Sequence, residues 1–394
     1  MRIVLTGGGT GGHLIPFEPI IEALRSNHAY NKAQLPARIE PGVCELFFVG
    51  PSDDKTKEFF AKYDIHVIPV ISGKMRRYAS FLNIIDLFFR VPVGIIMALI
   101  RMWFLMPDAV LSKGGYGSVP VILAAVFYRI PIVVHESDVT MGMTNKTISR
   151  FAQVIALTHE VTRNELRKND QLKTFTTGLP VRRELTLVEP REAKKAFAIA
   201  DSEPVLLVMG GSQGAEQINT VVLESLQSLI ADMSIIHLTG EKNFEKIKTV
   251  STEVLASSPR KNAYAVFPYL TDKMSYALSA ADVVVSRAGA TSLAELAYAR
   301  KPSLIIPLAT AANNHQQKNA ELYERYGAVR VLESNNVTRS LFEHAIRAII
   351  FSPDIKAGLS QAIAKMDRPQ AAQDIAQLVI TLSAGFRPNT NVKR

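Results

Sequence analysis

Apolar and polar positions along the chain fall into alternating blocks. "RIVLT" at 2–6 is an apolar run of strand length, and "PFEPIIEALRSN" at 16–27 places its apolar residues at helical spacing. "CELFFVG", "HVIPVI", "AVLSK", "IPIVVHE" and the run Val154, Ile155, Ala156, Leu157, Thr158 read as further strands. Each is continuously apolar rather than alternating, which predicts a parallel sheet covered on both faces by helices. A second series opens at "PVLLVMGGSQGAEQIN", again an apolar strand, a glycine turn and a helix, and "SIIHLTG", "AYAVFPY", "DVVVSRAG" and "SLIIPL" continue it. The pattern predicts an α/β protein of two doubly wound domains, with ligand loops at the carboxyl ends of the strands. Residues 1–180 are expected to form the first domain and 181–368 the second, with a linker near 178–190. The final segment, 369–394, is expected to be a helix packing back on the first domain, followed by a basic tail.

One segment resists this pattern. "FLNIIDLFFRVPVGIIMALIRMWFLM" at 81–106 is the most apolar stretch, yet Asp86, Arg90 and Arg101 interrupt it and Pro92 is expected to break its helix. A spanning helix needs ~20 mostly uncharged residues, so crossing a membrane is not expected. Two readings stay open. Phe88, Phe89, Ile95, Ile96, Trp103 and Phe104 enter a lipid surface while Lys74, Arg76, Arg77, Arg90 and Arg101 meet its phosphates, or two buried helices cover the first sheet.

The chain has 394 residues, a length that suits two domains, and 47% of them are hydrophobic. A formal net charge of +9 favours an anionic partner: a phosphorylated ligand, an anionic membrane surface or nucleic acid. Nucleic acid is set aside because no zinc-finger or ribonucleoprotein motif occurs. Cys44 is the only cysteine, which excludes a disulfide framework and a cysteine-based zinc site and suits a reducing compartment. "MRIVL" runs straight into a glycine loop, so the N-terminus is expected to be structural rather than a leader.

"TGGGTGGH" follows the first strand and satisfies the dinucleotide pattern G-x-G-x-x-G. The acidic residue a nicotinamide loop would want ~20 residues on is missing, since Asp53 comes far too late. The general physics remains: bare backbone amides at a helix start attract phosphate or a developing anion.

"GGGTGGH", "KGGYGSVP", "HESDVTMGMTNK", "GLPVRRE", "GGSQGA", "ADVVVSRAGATSLAE" and "NNHQQKNA" occur in this order across both domains. Together they resemble the MurG family of peripheral membrane N-acetylglucosaminyltransferases. The resemblance implies the GT-B fold, two Rossmann-like domains facing each other across a cleft. It also implies inverting transfer of N-acetylglucosamine from UDP-N-acetylglucosamine to undecaprenyl-diphosphate-linked muramyl pentapeptide, lipid I, giving lipid II at the cytoplasmic face of the cell membrane. Cell-wall synthesis proteins are candidate partners. No cofactor and no essential metal are expected: Asp53 and Asp54 form no D-x-D pair.

Residue by residue, the resemblance assigns Thr10, Gly11 and Gly12 to the first glycine loop, donor-binding from across the cleft. It assigns Arg182 and Ser212 to the donor diphosphate, and Ala290, Thr291, Ser292, Leu293, Ala294 and Glu295 to the nucleotide, with Glu295 on the ribose hydroxyls. Gln316 falls on the sugar, and Leu270 and Thr271 lie near uracil. Lys113, Gly114, Gly115, Tyr116 and Asn145 are expected on the acceptor side. His13 and Glu136 are the catalytic candidates for taking the acceptor hydroxyl proton; Glu136 has the alternative of orienting His13 or the loop, and Asp138 is a third candidate.

The chain departs from the family at Ser137 and Asp138, where "HEQN" is usual, at Leu179 in "GLPVR", and at Ala288, Gly289, Ala290, Thr291 and Ser292 in place of "SGALT". An ionised Asp138 accepts hydrogen bonds only, which bears on donor choice. Arg287 is expected either in the site or tied to a neighbouring carboxylate. Other cleft-type sugar transferases, a UDP-sugar epimerase and a non-catalytic nucleotide-sugar adaptor are the competing readings.

Overall fold

In the computed structural model, residues 1–8, 14–26, 44–73, 90–210, 215–308 and 314–386 are described. Thr10, Gly11, Gly12, His13 and Ser212 lie outside them, as do Lys74, Arg76, Arg77, Phe88, Phe89 and the basic tail from 387. The chain divides into two compact units, residues 1–182 with 368–394, and residues 183–367.

The first unit carries seven strands: β1 (Arg2–Thr6), β2 (Glu45–Gly50), β3 (His66–Pro69), β4 (Ala109–Ser112), β5 (Ile132–Glu136), β6 (Val154–Leu157) and β7 (Thr174–Thr176). They form one parallel sheet in the order β3-β2-β1-β4-β5-β6-β7. Alternate residues of one strand serve opposite layers. Ile3 and Leu5 of β1 join Phe17, Phe48 and Phe60 on one face, where Ile375, Val379 and Ile380 of the last helix (Ala371–Ser383) also pack. Val4 joins Val110, Val134, Ala98 and Met102 on the other. Both faces are dry, which is why these strands are continuously apolar.

Helix α1 (Phe17–Arg25) follows β1, and helix α2 (Asp54–Ala61) is capped by Asp53, whose carboxylate accepts from Thr56 N at 2.8 Å. Asp53 is thus spoken for as a cap.

Helix α3 spans Val91–Leu105. Pro92 stands in its first turn, where a proline gives up no helical hydrogen bond, and residues 81–89 before it lie outside the described ones. Gly94, Ala98 and Met102 form its buried stripe, and a Cβ at Gly94 would lie 2.0 Å from the Ile71 carbonyl. The small stripe lets α3 sit close to the chain and against helix α4 (Val119–Phe127). Its other side stays in solvent: Phe104 is 79% exposed and Phe127 of α4 is 70% exposed. Among the described residues no helix is long and apolar enough to cross a membrane.

The second unit carries β8 (Val205–Met209), β9 (Ser234–Leu238), β10 (Tyr264–Phe267), β11 (Val283–Ser286), β12 (Ser303–Ile305) and β13 (Arg330–Val331) in one parallel sheet. Its order is β10-β9-β8-β11-β12-β13. Leu206, Val208, Val283 and Val285 pack on Ile218, Val222 and Leu226, with Phe342 and Ile346 in the same core.

Candidate functional site

In an open parallel sheet, ligands bind beyond the carboxyl ends of the strands where the strand order reverses. In the first unit that point lies between β1 and β4, which run side by side with Thr6 opposite Ser112. Lys113 N donates to the Thr6 carbonyl at 2.9 Å, carrying the pairing one step past the strands. The loop then turns through Gly114 and Gly115, with φ of 76° and 78°. Only glycine takes such angles without strain. A Cβ at Gly117 would lie 2.7 Å from the Gly7 carbonyl, so the two glycine loops touch backbone to backbone. Tyr116 and Gly115 are half-buried on this ledge, and Ser118 Oγ closes it by donating to the Gly115 carbonyl at 2.8 Å.

Beside it, the end of β5 builds a polar cluster inside the sheet edge. Glu136 is buried, and its carboxylate accepts four hydrogen bonds. Oε1 takes Ser137 N at 2.9 Å and Asp138 N at 3.1 Å; Oε2 takes Gly142 N at 3.0 Å and Asn145 Nδ2 at 2.8 Å. Asn145, on helix α5 (Met143–Ile148), also reaches the His135 carbonyl at 3.3 Å. Burial and the Asp138 charge push the Glu136 carboxyl up, and the donors from Asn145, Asp138 and Gly142 hold it back. This carboxylate folds the loop that follows it. The geometry fits the orienting role rather than a base reaching for a substrate hydroxyl.

Lys113, expected on the acceptor side, is buried rather than solvent-exposed. It is 1% exposed, and its ammonium bonds to His135 Nδ1 and donates to Ser137 Oγ at 2.8 Å. With Nδ1 accepting, His135 carries its proton on Nε2 and donates it to the Gly178 carbonyl at 3.1 Å. Burial, then the Lys113 charge, hold His135 well below the usual imidazole range. Burial also brings Lys113 down to about 7 against the upward pull of Glu136 and Asp138. His159, just past β6, is lowered to about 4 by burial despite Asp138. Asp138 itself is half-buried in the turn these groups hold. Asn145 is likewise buried, inside the cluster rather than on an open acceptor face. Arg182 is half-buried at the end of this unit.

The second unit repeats the plan at the reversal between β8 and β11. Helix α6 (Glu216–Leu229) follows β8, and helix α7 (Ala290–Tyr298) follows β11 after Arg287, Ala288 and Gly289. Gly289 caps α7 without a side-chain hydrogen bond, which leaves its first amides for another acceptor. Ala290, Thr291, Ser292 and Ala294 are half-buried there, while Leu293 and Glu295 are buried.

Arg287 ties the loop after β11 to the first turn of α6 and to the loop after β12: its Nη1 donates to Gln217 Oε1 at 3.3 Å and to the carbonyls of Ile306 and Pro307 at 3.1 Å each. The expected carboxylate partner is replaced by neutral oxygens, and burial lowers the guanidinium's proton affinity. Gln316 Oε1 accepts from Leu308 N at 2.9 Å, and Asn319 Nδ2 donates to the Ala288 carbonyl at 3.0 Å. Thr271 is exposed beyond β10, and Leu270 beside it is buried. The described donor-side candidates of this unit therefore all follow carboxyl ends, those of β10, β11 and β12.

Sequence reasoning missed Ser137, His159, Gln217 and Asn319 as parts of this framework. Only the position of "HESD" at a strand end hinted at the first. Among the described residues, no group of three or more His, Cys, Asp or Glu side chains is placed to hold a metal ion.

Comparison with known proteins covers both units. The Glycosyltransferase family 28 N-terminal domain matches residues 3–157, and the Glycosyltransferase family 28 C-terminal domain matches residues 205–378. A UDP-N-acetylglucosamine–N-acetylmuramyl-(pentapeptide) pyrophosphoryl-undecaprenol N-acetylglucosamine transferase from Treponema denticola is 32% identical over 392 residues, covering 96% of each chain. The crystal structure of Acinetobacter baumannii MurG superposes with a TM-score of 0.73 at 22% identity, covering 96% of this chain and 99% of that one. A UDP-GlcNAc 2-epimerase from Neisseria meningitidis, bound to UDP-GlcNAc, shares the fold with a TM-score of 0.67 at 15% identity, covering 97% of this chain and 100% of that one.

Proposed function

Because the chain belongs to the MurG family of N-acetylglucosaminyltransferases, we infer that it moves N-acetylglucosamine from UDP-N-acetylglucosamine to lipid I, giving lipid II. The observation that carries this reading is a match running through both units, at 32% identity over 96% of the chain. The two-domain fold alone is shared with epimerases and does not choose the reaction.

The acceptor hydroxyl attacks the anomeric carbon, its proton passes to a base, and the bond to UDP breaks with the electron pair leaving on the phosphate. The first-turn amides of α7 suit the departing anion, with Arg182 and Ser212 assigned to it by resemblance. Glu295 suits the ribose hydroxyls, Gln316 and Asp138 the sugar, and the Gly114, Gly115, Tyr116 ledge the acceptor diphosphate. His13 is the proposed base, since Glu136 is committed to its loop. The test is UDP release by the purified protein given UDP-N-acetylglucosamine and a short-chain lipid I analogue. Release that depends on acceptor is expected. Release no faster than the acceptor-free control overturns the transferase reading, and donor turnover without acceptor moves the chain to the epimerases.

The exposed side of α3 and α4 is the proposed membrane contact, on the cytoplasmic leaflet. Ile96, Ile100, Trp103, Phe104 and Phe127 face solvent there, with Arg90 and Arg101 exposed among them, whereas Ile95 is half-buried. Burying one large apolar side chain contributes about 1.5–3 kcal/mol. Trp103→Glu with Phe104→Glu should therefore cut the fraction floating with anionic vesicles by about tenfold or more. Unchanged flotation removes this face from the membrane.

A further inference from the structure

Three cations are buried in the described chain, and two have plain structural work. Lys194 Nζ donates to the carbonyls of Asp201 and Glu203, and Arg287 braces carbonyls around β12. Lys113 differs. Its ammonium meets His135 and Ser137, the residues on either side of Glu136. A buried ammonium is costly unless paired, and an apolar side chain of similar length would fill the same space. The charge itself therefore asks for a reason.

The reason lies in what Lys113 and Glu136 grip together. Glu136 holds the amides of Ser137, Asp138 and Gly142 from within the strand, and Lys113 holds the side chains of His135 and Ser137 from the neighbouring strand. Asp138 sits in the turn between these grips. Both carboxylates, Glu136 and Asp138, act on Lys113 through their charge. Where family members carry an amide that both donates and accepts, this chain carries a carboxylate that only accepts, with a buried cation behind it.

We propose that Lys113 is a positioning residue paired with Asp138: its ammonium fixes the turn at residues 137–138 and so places the Asp138 carboxylate as an acceptor for a hydroxyl or N–H of the donor sugar. This rests on the reading of residue 138 as a donor-sugar contact. The pair replaces an amide by a charge and its counter-charge, so neither member works alone.

The experiment is a double-mutant cycle in the full chain, with UDP-N-acetylglucosamine varied against a saturating short-chain lipid I analogue. Lys113→Met should lower kcat/KM about tenfold or more, mainly through KM for the donor, and Asp138→Asn should lower it comparably. Combining the two should return it to within about threefold of wild type, because the charge and its partner leave together. Losses that simply add overturn the pairing. If Lys113→Met does not fold, Lys113→Gln, which keeps a donor and drops the charge, takes its place in the cycle.

A pH profile supplies the readout that mere packing would not move. Lys113 is protonated below about 7, so the positioned state is present at lower pH and lost as pH rises through that value. An alkaline fall in kcat/KM should appear in wild type and vanish in Lys113→Met. The other titratable groups facing this cluster are His135, Glu136 and Asp138, with His159 and Arg368 beyond Asp138. Both histidines are lowered, so neither supplies an alkaline limb. A limb that survives in Lys113→Met overturns the assignment. An active wild type with additive variants sinks the pair alone; no acceptor-dependent transfer by wild type sinks the transferase reading and the pair with it.

Discussion

Glu136→Gln is expected to lose both stability and transfer. The carboxylate accepts two N–H donors on each oxygen. A glutamine offers an oxygen at one end only, so whichever way it flips, two donors face an NH2 group. Each buried donor left unsatisfied costs about 1–3 kcal/mol, so about 2–6 kcal/mol should be missing from chemical unfolding of the first unit. The loop carrying Asp138 would shift as well, and a misplacement of about 1 Å at a reacting centre costs roughly 100-fold in rate. The stability measurement separates two roles that an activity assay alone would merge. A general base removed from the same place would lower kcat by roughly 100- to 10,000-fold while leaving unfolding unchanged. A variant as stable as wild type but inactive would restore Glu136 as the base and remove the orienting role argued from its hydrogen bonds.

The same cluster marks how far the sequence could be read. The central strands β1, β4, β5, β8 and β11 were legible because both their faces are dry and their residues are continuously apolar. β7 and β13 were not. They are three and two residues long, sit at sheet edges, and carry half-buried or exposed side chains, so no apolar run announces them. In the site, "KGGYGS" was legible as a loop built for close approach, since its glycines encode the backbone angles directly. Lys113 was not, because burial is a tertiary property. Its partners lie 22 and 24 residues away on the next strand and its turn, a pairing that only the parallel register of β4 and β5 creates. Arg287 failed for the same reason. Two of its three acceptors are backbone carbonyls of the loop beyond β12, which carry no side-chain signal, and the third, Gln217 Oε1, lies 70 residues away.

Gly114→Ala is expected to be nearly as damaging, although it adds one methyl group. At φ of 76° the residue sits in the left-handed region, where a side chain costs about 1–2 kcal/mol. The new Cβ would also stand 2.2 Å from Asn145 Oδ1 and 2.8 Å from its Nδ2, so one of them must move. Asn145 has no slack to give. Its amide nitrogen is bonded to Glu136 Oε2 and the His135 carbonyl, and its Oδ1 is buried without a hydrogen-bond partner among the described residues. Displacing it breaks a charge-assisted bond of about 1.5–3 kcal/mol, and the two terms together give about 3–5 kcal/mol. Gly114→Ala with Asn145→Ala tells the two causes apart. The double variant relieves the contact but not the backbone strain, so it should be more stable than the sum of the single losses. Strict additivity would mean that strain alone sets the cost, and that the glycine is there for its turn and not for the amide packed against it.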